Sequence, residues 1–254
     1  MGHLASPPEK LHKKLTLRLR REAFAIAVAC MLLHAAAARA ARPMYTDDAR
    51  VVDPKSCQVE SWMKFNREST EYWALPACNP LGLFELTYGG ARTQPKGESS
   101  VFTDNILQAK SIFKPLEMNG WGWGVAVGTD RHLHRESANG WPGDSYFYFP
   151  LSISTRDDEI VVHINAGLNH RRDLNENVGT WGLGSEIRLR DDLYFIPEMF
   201  RNDVGKPFYQ VGLRYWIIKD RVQMDATFGN RAVSNTDERW FSLGLRLLSP
   251  PFIP

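Results

Sequence analysis

From about residue 56 onward, large apolar residues alternate with small or polar ones at a period of two, the repeat of a β-strand with two unlike faces. In Trp121–Gly128, Trp121, Trp123, Val125 and Val127 share one face, and Gly122, Gly124, Ala126 and Gly128 the other. Residues Ile160–Asn169 set Ile160, Val162, Ile164, Ala166 and Leu168 against His163, Asn165, Gly167 and Asn169. Thr180–Arg190 sets Trp181, Leu183, Ile187 and Leu189 against Glu186, Arg188 and Arg190. Val222–Gly229 and Phe241–Leu247 follow the same rule, and helical periodicity is almost absent.

The apolar face carries large side chains, while the other mixes glycine, serine, threonine and charges of both signs. A soluble sandwich buries its large residues in a shared core. A membrane barrel turns them to lipid and its polar residues to the lumen. Both give the same alternation, so the connections decide. Twelve strands are predicted, near 57–65, 70–78, 82–90, 101–113, 121–130, 144–155, 159–170, 178–190, 193–202, 207–217, 221–230 and 239–248. The clearest of them alternate over about 9–11 residues, the length a tilted strand needs to cross a bilayer. Short connections such as Asp191-Asp192 tend to alternate with longer ones such as Arg131–Gly143, as in outer-membrane barrels. The expected fold is therefore all-β, an antiparallel transmembrane β-barrel of twelve strands, with ten to fourteen as the range. Trp121, Tyr146, Tyr148, Trp181, Tyr215, Trp216 and Trp240 fall near strand ends, where aromatic girdles sit. Pro76, Pro150 and Pro197 lie within strands and each removes a ladder donor.

The N-terminus differs in kind. Basic residues from Lys10 to Arg21 precede the apolar run Ala23–Leu33, and small residues end in Ala-Arg-Ala at 38–40. That order is a secretory signal peptide. The domain reading is residues 1–40 as signal peptide, 41–55 as a periplasmic or lumen segment, and 56–254 as barrel. Residues 1–40 hold seven of the 31 basic and two of the 29 acidic residues, leaving 24 and 27. This near-balance gives no case for a nucleic-acid binder, which normally shows a basic patch or stripe. Only Cys57 and Cys78 then remain. A hairpin centred between Arg67 and Glu68 brings Cys57 opposite Cys78, Trp62 opposite Trp73 and Lys64 opposite Glu71. One register thus supplies a disulfide, an aromatic pair and an ion pair.

Residues Ala41–Glu60 contain Arg42-Pro43, Thr46-Asp47-Asp48-Ala49 and Gln58-Val59-Glu60. They resemble the start of proteins described as outer-membrane components of meta-cleavage phenol degradation. That resemblance implies a barrel and, for its substrates, hydrophobic or aromatic compounds. This chain departs from the pattern in its two cysteines and in Asn79-Pro80.

The lumen face is expected to carry Gln58, Glu60, Lys64, Glu71, Glu85, Lys110, Glu186, Arg188, Arg190, Arg214, Asp225 and Arg246. Such charges either line a water-filled path and set its selectivity or close a narrow barrel as a salt-bridge network. Residues 41–54 are a candidate plug, with Thr46, Asp47 and Asp48 offering acceptors to Arg188, Arg190 or Arg214. His132 and His134, with Glu136, are weighed as metal ligands and read instead as a solvated loop, so no metal is expected. His163 and Asn165 share a face, but no serine at evident spacing completes an acyl-hydrolase set, and no catalytic residue is assigned. No cofactor motif is present. The expectation is a non-enzymatic, monomeric outer-membrane channel for small hydrophobic or aromatic molecules, passive or gated. Its expected partners are outer-membrane lipid, the transported solute and, during insertion, the barrel-assembly machinery. A lipid-active enzyme and a closed structural barrel are the alternatives.

Overall fold

The structure is a computed structural model that describes residues 44–133, 142–232 and 237–254. The signal-peptide reading of residues 1–40, and His134 and Glu136, lie outside the described residues.

The strands are β1 (Ser56–Asn66), β2 (Ser69–Asn79), β3 (Glu85–Pro95), β4 (Phe102–Lys114), β5 (Trp121–His132), β6 (Asp144–Thr155), β7 (Ile160–Arg171), β8 (Glu176–Arg190), β9 (Leu193–Phe195), β10 (Glu198–Arg201), β11 (Phe208–Ile218), β12 (Val222–Arg231) and β13 (Trp240–Leu248). Apart from β9 and β10, which do not pair with each other, sequence neighbours pair antiparallel, and β1 closes on β13 from Gln58 opposite Leu248 to Asn66 opposite Trp240. The segments β9 and β10 are halves of one stave, because both pair with β8 on one side and β11 on the other. Between them, Ile196 exchanges backbone hydrogen bonds with Gly212 and the Pro197 carbonyl accepts from Ser185. Pro197 has no N–H to donate, which breaks the ladder at that point. The result is a closed barrel of twelve antiparallel strands. The register gaps beside Pro76, between Ala74 and Ala77, and beside Pro150, between Tyr148 and Leu151, have the same cause.

The two faces are inverted relative to a soluble protein. Outward-facing Val127 and Leu183 are each 50% exposed, whereas inward-facing Arg214 is 2% and Arg246 0% exposed. Apolar surface is stable outward only where the surrounding solvent is hydrocarbon. Four of the proposed girdle aromatics depart from the expectation. Trp216 and Trp240 are buried, and Tyr146 and Tyr148 hydrogen-bond inside the barrel to Gln108. Strand parity explains this: each shares a face with inward polar residues, Trp240 with Ser242 and Arg246, Trp216 with Arg214, and both tyrosines with Ser152.

The strand β3 runs five residues beyond its expected end at 90. The Gly89-Gly90 pair therefore lies mid-strand. A Cβ on Gly90 would collide with the Asp104 carbonyl of β4, so the glycine here permits close backbone approach.

The Cys57–Cys78 disulfide forms, with Trp62 stacked on Trp73 at 5.1 Å and Lys64 3.6 Å from Glu71. The cysteines mark the end of the barrel where Phe252 and Ile253 donate backbone hydrogen bonds to Lys55, here the terminal end. The opposite end, with the turn at Arg67-Glu68, is the hairpin end.

Candidate functional site: a strapped lumen and its vestibule

Residues 44–54 form no regular element, and they run through the barrel interior as a strap. Met44, Thr46, Asp47, Asp48, Ala49 and Val52 are all buried. An extended backbone in such a place must have its N–H and C=O groups satisfied by something other than water. Side chains of the wall do this one position at a time. The Glu198 carboxylate of β10 accepts from Tyr45 N (3.0 Å), Thr46 N (2.5 Å) and Thr46 Oγ1 (2.8 Å), and also from Gln210 Nε2 (2.7 Å). The Asn165 amide, with its oxygen toward Asp47 N (2.7 Å) and its nitrogen toward Asp47 O (2.8 Å), closes a two-bond clasp. Ser152 Oγ accepts from Ala49 N (2.8 Å) and Glu85 from Val52 N (3.0 Å), while Asn79 donates to Val52 O (2.8 Å).

Charges fix the register of the strap. Lys110 lies 3.0 Å from Asp47 and 3.7 Å from Asp48, and the Tyr148 hydroxyl donates to Asp47 at 2.6 Å. Arg50 meets Glu186 at 3.6 Å. Space for the strap comes from β8. Gly182 and Gly184 face inward, and a Cβ on either would strike Thr46 or Met44 respectively. Apolar contacts complete the packing: Tyr45 stacks on Phe200 at 4.6 Å, and Met44 and Val52 join Tyr194, Ile196, Trp216 and Leu248 in a small interior cluster.

The predicted lumen residues sort into three groups. Glu60, Glu85, Glu186, Arg214, Asp225 and Arg246 face the interior near the strap. Arg214 pairs with Glu186 at 2.6 Å and stands opposite Asp225 in the β11–β12 ladder. Arg246 Nε lies 2.7 Å from Gln58 Oε1 and 3.5 Å from Glu60. Lys64, beside Glu71, sits nearer the hairpin end, 4.8 Å over the Trp240 ring. Arg188 and Arg190 instead mark the terminal rim. Arg188 donates to Asp157 O in the β6–β7 turn, and Arg190, 64% exposed, pairs with Asp192. They are the last residues of β8 before its turn, too far along the strand to reach the strap.

The expected plug residues are therefore inside the barrel, but with other partners than Arg188, Arg190 or Arg214. Thr46 donates to Glu198, Asp47 takes Lys110, and Asp48 lies near Lys110 and Arg50. The sequence reading missed Glu198 and Ser152. Glu198 lies two residues before inward Phe200, so strand parity was the available signal, masked by Pro197.

Ser152 also supplies the serine that spacing did not reveal for His163. The two stand opposite each other across β6 and β7, with Oγ 2.8 Å from Nδ1, and His163 Nε2 lies 3.6 Å from Glu186. Both side chains are fully buried beneath the strap, and Ser152 already accepts the Ala49 N–H. As placed, this set is a hydrogen-bonded anchor for the strap.

Between the strap and the hairpin end lies a vestibule of about 400 Å³. On β10, β13, β1 and β2 it is lined by Phe200, Trp240, Trp62 and Trp73 together with Lys64 and Glu71, and on β4 to β7 by Gln108, Asp130, Asp144 and Asn165 together with Tyr146 and Tyr148. A second cavity of about 30 Å³ adjoins Asp47, Glu60, Glu85 and Lys110, so the strap does not fill its level completely.

The chain belongs to the family described as uncharacterised conserved protein UCP029691, whose model matches residues 28–248. Among curated proteins no sequence matches it. Its fold is similar to that of the KdgM porin (TM-score 0.58, 11% identity, 75% of this chain and 98% of that one). The same porin in complex with disordered oligogalacturonate gives a TM-score of 0.57 at 11% identity, again covering 75% and 98%. The NanC porin gives 0.51 at 12% identity, covering 76% of this chain and 98% of that one. At these identities the likeness concerns the fold: a twelve-stranded barrel of the outer-membrane porin type.

Proposed function

We propose that the protein is a non-enzymatic outer-membrane channel whose lumen is gated by its own N-terminal strap, and that it passes small hydrophobic or aromatic molecules. The observation that carries this reading is the way the strap is held. Here wall side chains hydrogen-bond the backbone of Tyr45, Thr46, Asp47, Ala49 and Val52, and Asp47 and Arg50 ion-pair with the wall, contacts that water can replace on release. Once the strap is displaced, Glu60, Glu85, Lys110, Glu186, Arg214, Asp225 and Arg246 line the freed path, a mixed-charge lining suited to tuning selectivity.

The vestibule supports the choice of cargo. Its aromatic residues give a flat ring an apolar stacking surface, and a volume of about 400 Å³ accommodates a molecule of one or two rings. The apolar outer belt and the porin-type fold support placement in a bacterial outer membrane, reached through the signal peptide. The closed β1–β13 seam supports a monomer, since it leaves no strand edge to pair.

Solute uptake into proteoliposomes tests the reading. Barrels lacking residues 44–53 are expected to admit small phenolic solutes faster than intact barrels. Equal rates from two correctly folded preparations would contradict strap gating.

A further inference from the structure

The geometry points to a divalent-metal site on the wall of the vestibule, formed by Asp104, Asp130 and His132. These side chains lie on neighbouring strands. Asp104 of β4 stands directly opposite His132 of β5, and Asp130 precedes His132 by two, on the same inward face. Their donor atoms all lie within 4.8 Å of one another, and the three side chains are partly buried. Two carboxylate oxygens and one imidazole nitrogen are a donor set for a first-row divalent ion such as Zn²⁺.

The orientation of the imidazole distinguishes this trio from a patch of acids. His132 Nε2 faces Asp144 at 3.3 Å, while Nδ1 hydrogen-bonds Asp104 at 2.6 Å, a contact that a bound ion would replace by entering between the two atoms, and lies 3.9 Å from Asp130. A metal-bound histidine typically gives its second nitrogen to a carboxylate, which sets the tautomer and leaves the first nitrogen to coordinate. Asp144 occupies that supporting position, and it is itself held by the Arg172 N–H at 2.9 Å. Ladder pairing fixes the strand positions beneath the site, and Asp130 and His132 line the vestibule, which offers an access route and room for a fourth ligand. An ion there would place positive charge on the vestibule wall, so it would also change what the vestibule accepts. The site differs from the His132–His134–Glu136 grouping weighed from sequence, which needed two loop residues.

The test is titration of the folded protein, purified in detergent micelles and stripped with a chelator, with Zn²⁺ followed by calorimetry. Co²⁺ is titrated in parallel as a spectroscopic probe. One equivalent is expected, with a Co²⁺ visible band showing nitrogen and oxygen ligation. Asp130→Asn and His132→Gln are expected to abolish stoichiometric binding. Asp144→Asn should weaken it about tenfold, and Glu71→Gln, elsewhere on the vestibule wall, should leave it intact. Heat-modifiable migration on gels confirms that each variant is folded. Absence of binding by the folded wild type would show an imidazole bridged by carboxylates only and overturn the proposal. So would binding that survives Asp130→Asn yet is lost in His134→Ala, which would assign the ion to the loop.

Discussion

Glu198 receives both the backbone N–H and the hydroxyl of Thr46, at 2.5 and 2.8 Å, although 152 residues separate the two in sequence. A buried carboxylate on the wall thereby replaces the solvent of a strap threaded through the barrel. Hydrogen bonds to a charged group contribute about 1.5–3 kcal/mol each, so this residue is the strongest single hold on the N-terminal end of the strap. Glu198→Gln keeps the size of the side chain but removes its charge. It is expected to shift the strap toward release by about 1–2 kcal/mol, read as roughly tenfold faster proteolysis within residues 44–53 of an otherwise resistant barrel. Unchanged protection would mean that Glu198 contributes little to docking.

The Lys110–Asp47 pair gives a second prediction. Both groups are buried and 3.0 Å apart. Lys110→Met strands Asp47 against Tyr148, and breaking a buried pair costs about 3–5 kcal/mol. Pairing it with Asp47→Asn should restore part of that loss. A double-mutant cycle on strap protection is expected to show a coupling of at least ~1 kcal/mol, and additive effects would contradict the pairing.

Gly182 offers a steric test. Its missing side chain leaves the place that Thr46 occupies. Gly182→Val is expected to eject the strap while the barrel stays folded, because the outward face and the ladder are untouched. Heat-modifiable migration on gels should be normal and strap proteolysis fast; a variant still protected would show that the strap can bypass Thr46 docking.

The alternation of apolar and polar positions was enough to read twelve staves, the lumen face of β7 and β12, and the opening hairpin with its disulfide. Strap placement was legible only in outline, because an extended segment without periodicity shows its acceptors but not which wall residues meet them. Arg188 and Arg190 share a face with Glu186, yet depth along the strand separates them, and alternation carries no information on depth. Ser152 was missed for the reverse reason: it meets His163 through the β6–β7 register, not through a spacing within one strand.

The disulfide closes a separation of 21 residues between the first two strands, at the terminal end. Replacing both cysteines by serine is expected to cost about 3 kcal/mol of barrel stability through lost loop-closure restraint. Urea unfolding in detergent, followed by tryptophan fluorescence, reads the change. A loss below ~1 kcal/mol would show that the adjoining ladder already restrains the hairpin in the unfolded ensemble.

At the hairpin end, Arg231 forks onto Asp203 at 3.1 and 2.7 Å and reaches Glu238 at 2.9 Å, pinning the loop after β10 to β12. The hydrogen bonds from Arg231 hold the Asp203 carboxyl below its ordinary value. A depressed folded-state value means the clamp contributes fully above the unfolded carboxyl range, near pH ~4, and is lost as pH falls through the lower folded value. Hydrogen exchange of residues 203–206 is therefore expected to accelerate below pH ~4 once intrinsic rates are corrected. Asp203→Asn should be fast at every pH, and a wild-type loop indifferent to pH would contradict the clamp.

The central claim is that the strap closes a path which the barrel otherwise provides, and single-channel conductance in planar bilayers tests it most directly. Intact barrels are expected to be silent or to open rarely, whereas barrels lacking residues 44–53 should give discrete, sustained conductance steps. Silence from the folded, strap-free barrel would contradict the account and leave a closed structural barrel in its place.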